Sequence, residues 1–298
     1  MVKLVLSDSL GSIFLRNNLS LNNNIKDVTY YSKNLCINQW LKWRKPKEDK
    51  YILALKLGFD NFIFWDMKEA NIILTKYYFT KSLHYACQSG SIKLIDFLIA
   101  KVSSNWNVGL QGACEGGHMN IIEYMITKGA NNWDEGLKYA CKGGHTAIVE
   151  FMIAKGASNW NAGLGGACEG GHMNIIEYMI TKGASNWHWA LVDACLGRDI
   201  GIVQLMIKKG GNDWIMAFIN ACKSDNLEIV KLIIKCTANS SLNISASNWN
   251  YGLSIASRED NVELAELMIA NGANTLTRSL HVAYANSSMR VVAFLLLQ

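Results

Sequence analysis

"ACEGGHMNIIEYMITKGA" occupies residues 113–130 and recurs letter for letter at residues 167–184, 54 positions further on. Midway between them, residues 140–157 read "ACKGGHTAIVEFMIAKGA", the same frame with altered letters. The tryptophans supply the ruler. Trp106, Trp133, Trp160, Trp187 and Trp214 stand 27 residues apart, and Trp249 follows after 35, one period plus an eight-residue insertion in "CTANSSLNISASNW". A fixed period of this size is the signature of a stacked array and outranks any local motif. Projected backward it puts Phe79 in the tryptophan slot, and projected forward, Leu276.

One unit, "NWNAGLGGACEGGHMNIIEYMITKGAS", reads as two short helices. Asn or Asp precedes each of the six tryptophans, at Asn105, Asn132, Asn159, Asn186, Asp213 and Asn248, where a short side-chain oxygen caps a helix start. The first helix is expected to end at Gly170 and Gly171. The second is expected to begin near Asn174 and to run Ile175, Ile176, Tyr178, Met179 and Ile180 as an apolar face at helical spacing, with Glu177 outward. Lys182 and Gly183 then supply a cation in the last turn and a left-handed terminator. Helices this short do not stand alone in water, so each unit buries its faces against the next.

At these residues the sequence resembles the ankyrin repeat family: Leu164, Ala167 and the Gly-His at Gly171 and His172, two β-branched residues opening the second helix, and a closing Gly-Ala at Gly183 and Ala184. The resemblance covers roughly residues 79–298. It departs from the family in having a 27-residue period against 33, and Ala162-Gly163-Leu164-Gly165 in place of Thr-Pro-Leu-His. The six missing residues fall in the segment that ordinarily makes the β-hairpin finger. The fold class expected is therefore all-α, an ankyrin-like α-solenoid of stacked helix-turn-helix repeats lacking full fingers. Asn-Trp junctions and an Asn/Lys/Ile-rich composition resemble the ankyrin proteins of large DNA viruses of amoebae.

The domain reading is an N-terminal segment over residues 1–44 with no readable family signal, a degenerate capping repeat over 45–78, and the array over 79–298. Its units start near 79, 106, 133, 160, 187, 214, 249 and 276. The chain of 298 residues is half apolar, with one proline, Pro46, and 24 glycines, as suits helices punctuated by glycine turns. No apolar run approaches 18 residues, so no membrane span and a cytoplasmic protein are expected.

The net charge of +5 is entirely N-terminal, since residues 79–298 carry 17 basic and 17 acidic residues. The cluster Lys42, Arg44, Lys45, Lys47 and Lys50 offers a nucleic-acid reading, but Glu48 and Asp49 interrupt it and a solvated linker is favoured.

Candidate chemistry dissolves into the repeat. Cys87, Cys114, Cys141, Cys168, Cys195 and Cys222 share one slot in six successive units. Neighbouring helices pack about 8–10 Å apart, too far for a disulfide or a shared zinc ion. Buried thiols of a reducing compartment follow. His118, His145 and His172 repeat at the same step; the resemblance implies that each ring bonds loop backbone of a neighbouring unit. No nucleophile is paired with a second catalytic residue type off the repeat, so neither an enzyme nor a cofactor is expected.

The informative residues vary while the frame stays fixed. Two positions after the tryptophan slot stand Lys81, Val108, Glu135, Ala162, Trp189, Met216, Tyr251 and Arg278. Trp189, Met216 and Tyr251 are consecutive, bulky and apolar there, and mark either a binding patch or packing against the insertion at residues 236–246. Asp193 and Lys223 would form its polar rim. The functional expectation is a non-catalytic protein–protein interaction scaffold with a host or viral protein partner; alternatives are a structural component of a virus particle or nucleic-acid association through the basic cluster. The tryptophan ladder is expected in the core, where truncating Trp160 would cost about 3–5 kcal/mol.

Overall fold

The structure, a computed structural model, describes residues 76–100, 105–238, 240 and 243–298, with side chains from residue 80 onward. The chain divides into two units, Met1–Ile73 and Leu74–Gln298, and every described residue belongs to the second. The segment 1–44, almost all of the capping repeat 45–78 and the basic cluster at Lys42, Arg44, Lys45, Lys47 and Lys50 lie outside the described residues.

The described residues form sixteen helices in eight pairs. The first helices are α1 (Lys76–Ser89), α3 (Trp106–Gly116), α5 (Trp133–Gly143), α7 (Trp160–Gly170), α9 (Trp187–Gly197), α11 (Trp214–Ser224), α13 (Ala246–Glu259) and α15 (Leu276–Ala285). The second helices are α2 (Ile92–Ile99), α4 (Met119–Thr127), α6 (Thr146–Ala154), α8 (Met173–Thr181), α10 (Ile200–Lys208), α12 (Leu227–Ala238), α14 (Val262–Ala270) and α16 (Met289–Leu295). No strand occurs among the described residues, and short turns occupy the place where fingers would stand.

Local chemistry sets the helix ends. The side chains of Asn132, Asn159, Asn186 and Asp213 accept from the backbone N–H of Glu135, Ala162, Trp189 and Met216 at 3.1–3.3 Å, each satisfying one orphan donor of a first turn. Asn105 makes no such bond. Asn248 lies inside a helix, because the insertion lets α13 start three residues early, with Ser245 at its N-cap. The first helices α3, α5 and α7 stop at Gly117, Gly144 and Gly171, all left-handed with φ near +80°. Arg198, Asp225 and Asp260 hold that conformation in later units, a costlier solution for residues with a Cβ.

Stacking is organised by small residues. In α7, a Cβ on Gly163 would lie 2.6 Å from Met179 Sδ and 3.4 Å from Cys141 Sγ. The methionine of the second helix therefore seats over the glycine of its own first helix, against the cysteine of the preceding unit. The same trio recurs at Gly109, Met125 and Cys87, at Gly136, Met152 and Cys114, and at Gly252, Met268 and Cys222. Burial pushes the thiols of Cys87, Cys141, Cys195 and Cys222 up to about 12, so they are neutral packing groups. First helices pack directly on one another, while second helices touch chiefly their own partners. The closer spacing on one side curves the stack, with the first helices inside.

Two sets of hydrogen bonds join the units. His118, His145 and His172 place Nε2 3.0–3.1 Å from the carbonyls of Gln88, Glu115 and Lys142 in the preceding unit, the role the family resemblance implied. In three successive units the residue after the tryptophan clamps the next junction: Asn107 accepts from the N–H of Asn131 and Asn132, Asp134 from Ser158 and Asn159, and Asn161 from Ser185 and Asn186, at 2.7–3.0 Å.

The tryptophans differ from the expected core ladder. Trp106, Trp133, Trp160, Trp187 and Trp214 are half-buried, each lying along a junction, and Trp249 alone is in the core at 8% exposure, edge-to-face on Phe218 with centroids 5.0 Å apart. A half-buried ring loses less on truncation. Trp249→Ala should cost about 3–5 kcal/mol and Trp160→Ala about half as much, a difference read from urea unfolding of the two variants; equal costs would contradict the packing described.

Candidate functional site

The face of each first helix turned into the curve carries the third, sixth, seventh and tenth residues from the tryptophan slot, which share one side at 100° per residue. Across the units these residues line a groove with two chemically distinct halves.

The first half is charged and closed on itself. His84 Nε2 lies 3.1 Å from Glu115 Oε2, Lys142 Nζ lies 3.3 Å from Glu115 Oε1, and the same ammonium lies 2.9 Å from Glu169 Oε1. Gln111 donates to Glu135 at 3.2 Å. Burial alone would raise the Glu115 pKa, but the His84 hydrogen bond and the Lys142 charge outweigh it and hold the carboxyl below its ordinary range. Burial would lower that of Lys142, and the bond to Glu169 with both carboxylates reverses the direction. This ladder ties four units together and leaves little free charge for a ligand.

The second half is apolar with a basic edge. Val192 and Ile255 are buried in its floor, and Leu196 and Ile219 are half-buried beside them. Above the floor stand Trp189, Met216 and Tyr251, exposed by 58%, 38% and 44%. The described parts of the insertion leave all three exposed. Lys223 and Arg258 occupy the last turns of α11 and α13. Lys223 is exposed and reaches Asn220 Oδ1 at 3.3 Å, and Arg258 pairs with Glu259 at 2.8 Å in an exposed contact.

Asp193 sits between the halves, on the floor and not on a rim. Its Oδ2 occupies the space that a Cβ on Gly165 would need. Removal from water raises its pKa to about 6, with Lys138 opposing and Glu169 reinforcing the shift. The contact accounts for one difference between the twin units: Gln111 reaches Glu135 of the following unit, whereas the matching Gly165 leaves room for Asp193. Sequence reasoning found the third-position row but missed the Glu115–Lys142–Glu169 ladder and the Asp193–Gly165 contact. Opposite charges at the tenth position of successive units were the available signal for the ladder.

The groove and its helix pairs define a class, a helical repeat solenoid. Residues 83–163 match the family model described as ankyrin repeats in three copies, so that stretch of the array is built of ankyrin repeats. Among solved structures, the human ASB11 ankyrin repeat domain is similar at 20% identity over 63% of this chain and 96% of that domain, with a TM-score of 0.36. No curated protein matches the chain. Ankyrin repeats are protein–protein interaction scaffolds, and that is the general function of the array. Among the described residues no helix is long and apolar enough to cross a membrane, and no cluster of three His, Cys, Asp or Glu is placed to hold a metal ion.

The raised pKa of Asp193 carries a pH dependence. A carboxyl with a folded-state pKa above its unfolded value costs stability when ionised; the cost is complete above about 6 and vanishes below the ordinary 3.8. Asp193→Asn should therefore raise stability by about 1–2 kcal/mol at pH 7.5, with the advantage fading between pH 6 and pH 4. Thermal melts of the variant and parent across that range would show it, and an advantage independent of pH would exclude ionisation as its cause.

Proposed function

We propose that the array is a non-catalytic scaffold that holds a protein partner in the second half of the groove, over α9, α11 and α13. The observation that supports this reading is the exposure of Trp189, Met216 and Tyr251 in three consecutive units, at a position that holds Glu135 and Ala162 earlier in the stack. Aromatic and methionine side chains in a row over an apolar floor are the groups from which binding hot spots are made. With the fingers reduced to short turns, the helix face is the surface left to do the gripping. Lys223 borders the row, and Asp193 closes the groove where it meets the charged half. The Asn-Trp junctions and the Asn/Lys/Ile-rich composition support a source among large DNA viruses of amoebae, with action in the host cytoplasm on a host or viral protein.

The test is an affinity purification from infected or host cells followed by calorimetry on the identified partner. Trp189→Ala combined with Met216→Ala should weaken binding at least tenfold, about 1.4 kcal/mol, with unchanged helical content by circular dichroism. Binding that survives this change but is lost when Lys42, Arg44, Lys45, Lys47 and Lys50 are neutralised would move the contact to the N-terminal segment.

A further inference from the structure

The chemistry of the second groove half limits what fits there. Successive first helices lie about 8–10 Å apart, so Trp189, Met216 and Tyr251 form a row of anchors at that spacing. Lys223 and Arg258 stand seven residues beyond their units' anchors, about 10 Å along the helix axis, and form a second, parallel row. An extended peptide gains its affinity from a free sheet edge, and the groove is walled by helices whose backbone groups are already paired. A helix satisfies its own backbone and presents side chains alone to an apolar floor, with anchors about two turns apart matching the row.

Charge then sets one flank of that helix. The cation of the first half, Lys142, is held between Glu115 and Glu169. In the second half, among the described residues, Lys223 reaches the neutral Asn220 amide, Arg258 meets Glu259 in an exposed pair that water screens, and Arg278 is exposed in α15. The acids Glu169 and Asp193 lie at the opposite end, toward α7 and α9. Resting on the groove reading above, we infer that the occupant is an amphipathic helix of a partner protein with an acidic flank. Its apolar stripe lies on Trp189, Met216 and Tyr251, and its carboxylates face Lys223 and Arg258. A basic flank would place like charges together over α11 and α13.

A phage-displayed library of helix-forming peptides, with a fixed leucine stripe and randomised flanks, tests this on the full chain. Selected peptides should carry Asp or Glu on one flank. Synthesised forms should bind at least tenfold tighter than versions with Lys at those positions, with a preference that shrinks as salt rises. Lys223→Glu with Arg258→Glu should abolish or invert that preference while preserving the fold by circular dichroism, and Trp189→Ala should weaken both peptide forms. Peptides sensitive to Trp189→Ala but with neutral or basic flanks would overturn the acidic flank and leave the groove reading standing. Selected peptides indifferent to Trp189→Ala, or a library that yields no binders, would overturn both.

Discussion

Everything in the array depends on how closely one first helix approaches the next. At Gly112 and Gly166 a side chain would run into the carbonyls of His84 and Lys138, and at Gly116, Gly143 and Gly170 into those of Gln88, Glu115 and Lys142. Backbone contact on the inner side, with methionines from the second helices filling the interior, leaves the second helices farther apart and bends the stack. The curve creates the groove, so the glycines that look like mere turn residues in the sequence also determine the shape of that face. The approach also brings the rings of His118, His145 and His172 within hydrogen-bond reach of the preceding unit, at 3.0–3.1 Å.

The frame was legible because a strict period constrains it. Helix limits, left-handed glycines and the buried cysteine slot all follow from asking what each repeated residue type does once per unit. Less legible was anything that depends on the relation between neighbouring units. Six tryptophans in one repeat slot read as a core, yet five lie at junctions where one side of the ring stays wet. An exposed junction needs only a lid, and the real junction lock is the small polar residue beside the ring, as at Asn107, Asp134 and Asn161. Asn248 failed as a cap because an insertion shifts a helix start without disturbing the tryptophan spacing that the eye follows. Asp193 passed for a rim residue because its burial depends on a missing side chain 28 positions earlier, at Gly165.

The two halves of the groove show how one frame supports two uses of the same positions. At the tenth position, Glu115, Lys142 and Glu169 alternate in sign and pair with each other. Their mutual satisfaction makes them part of the stack, and a partner would have to break that ladder to use them. The series continues as Leu196, Lys223 and Arg258, where alternation ends and no interunit ladder forms. Charge that the stack does not use for pairing between units lies here beside the exposed Trp189, Met216 and Tyr251.

The near identity of the units at 106–132 and 160–186 bears on the same point. They agree even at exposed positions such as Glu123 and Glu177, which stacking does not require, so duplication of a two-unit block explains the match better than a shared binding role. Of their three differences, Gln111 against Gly165 is coupled to the following unit, Glu135 in one case and Asp193 in the other. One of the three differences between the copies therefore tracks a difference in the neighbouring unit. The units depart furthest from the repeated block over the stretch from α9 to α13. There Asp199 replaces the repeated histidine and caps its own helix at 2.8 Å, and the groove passes from paired charge to exposed aromatic and methionine side chains.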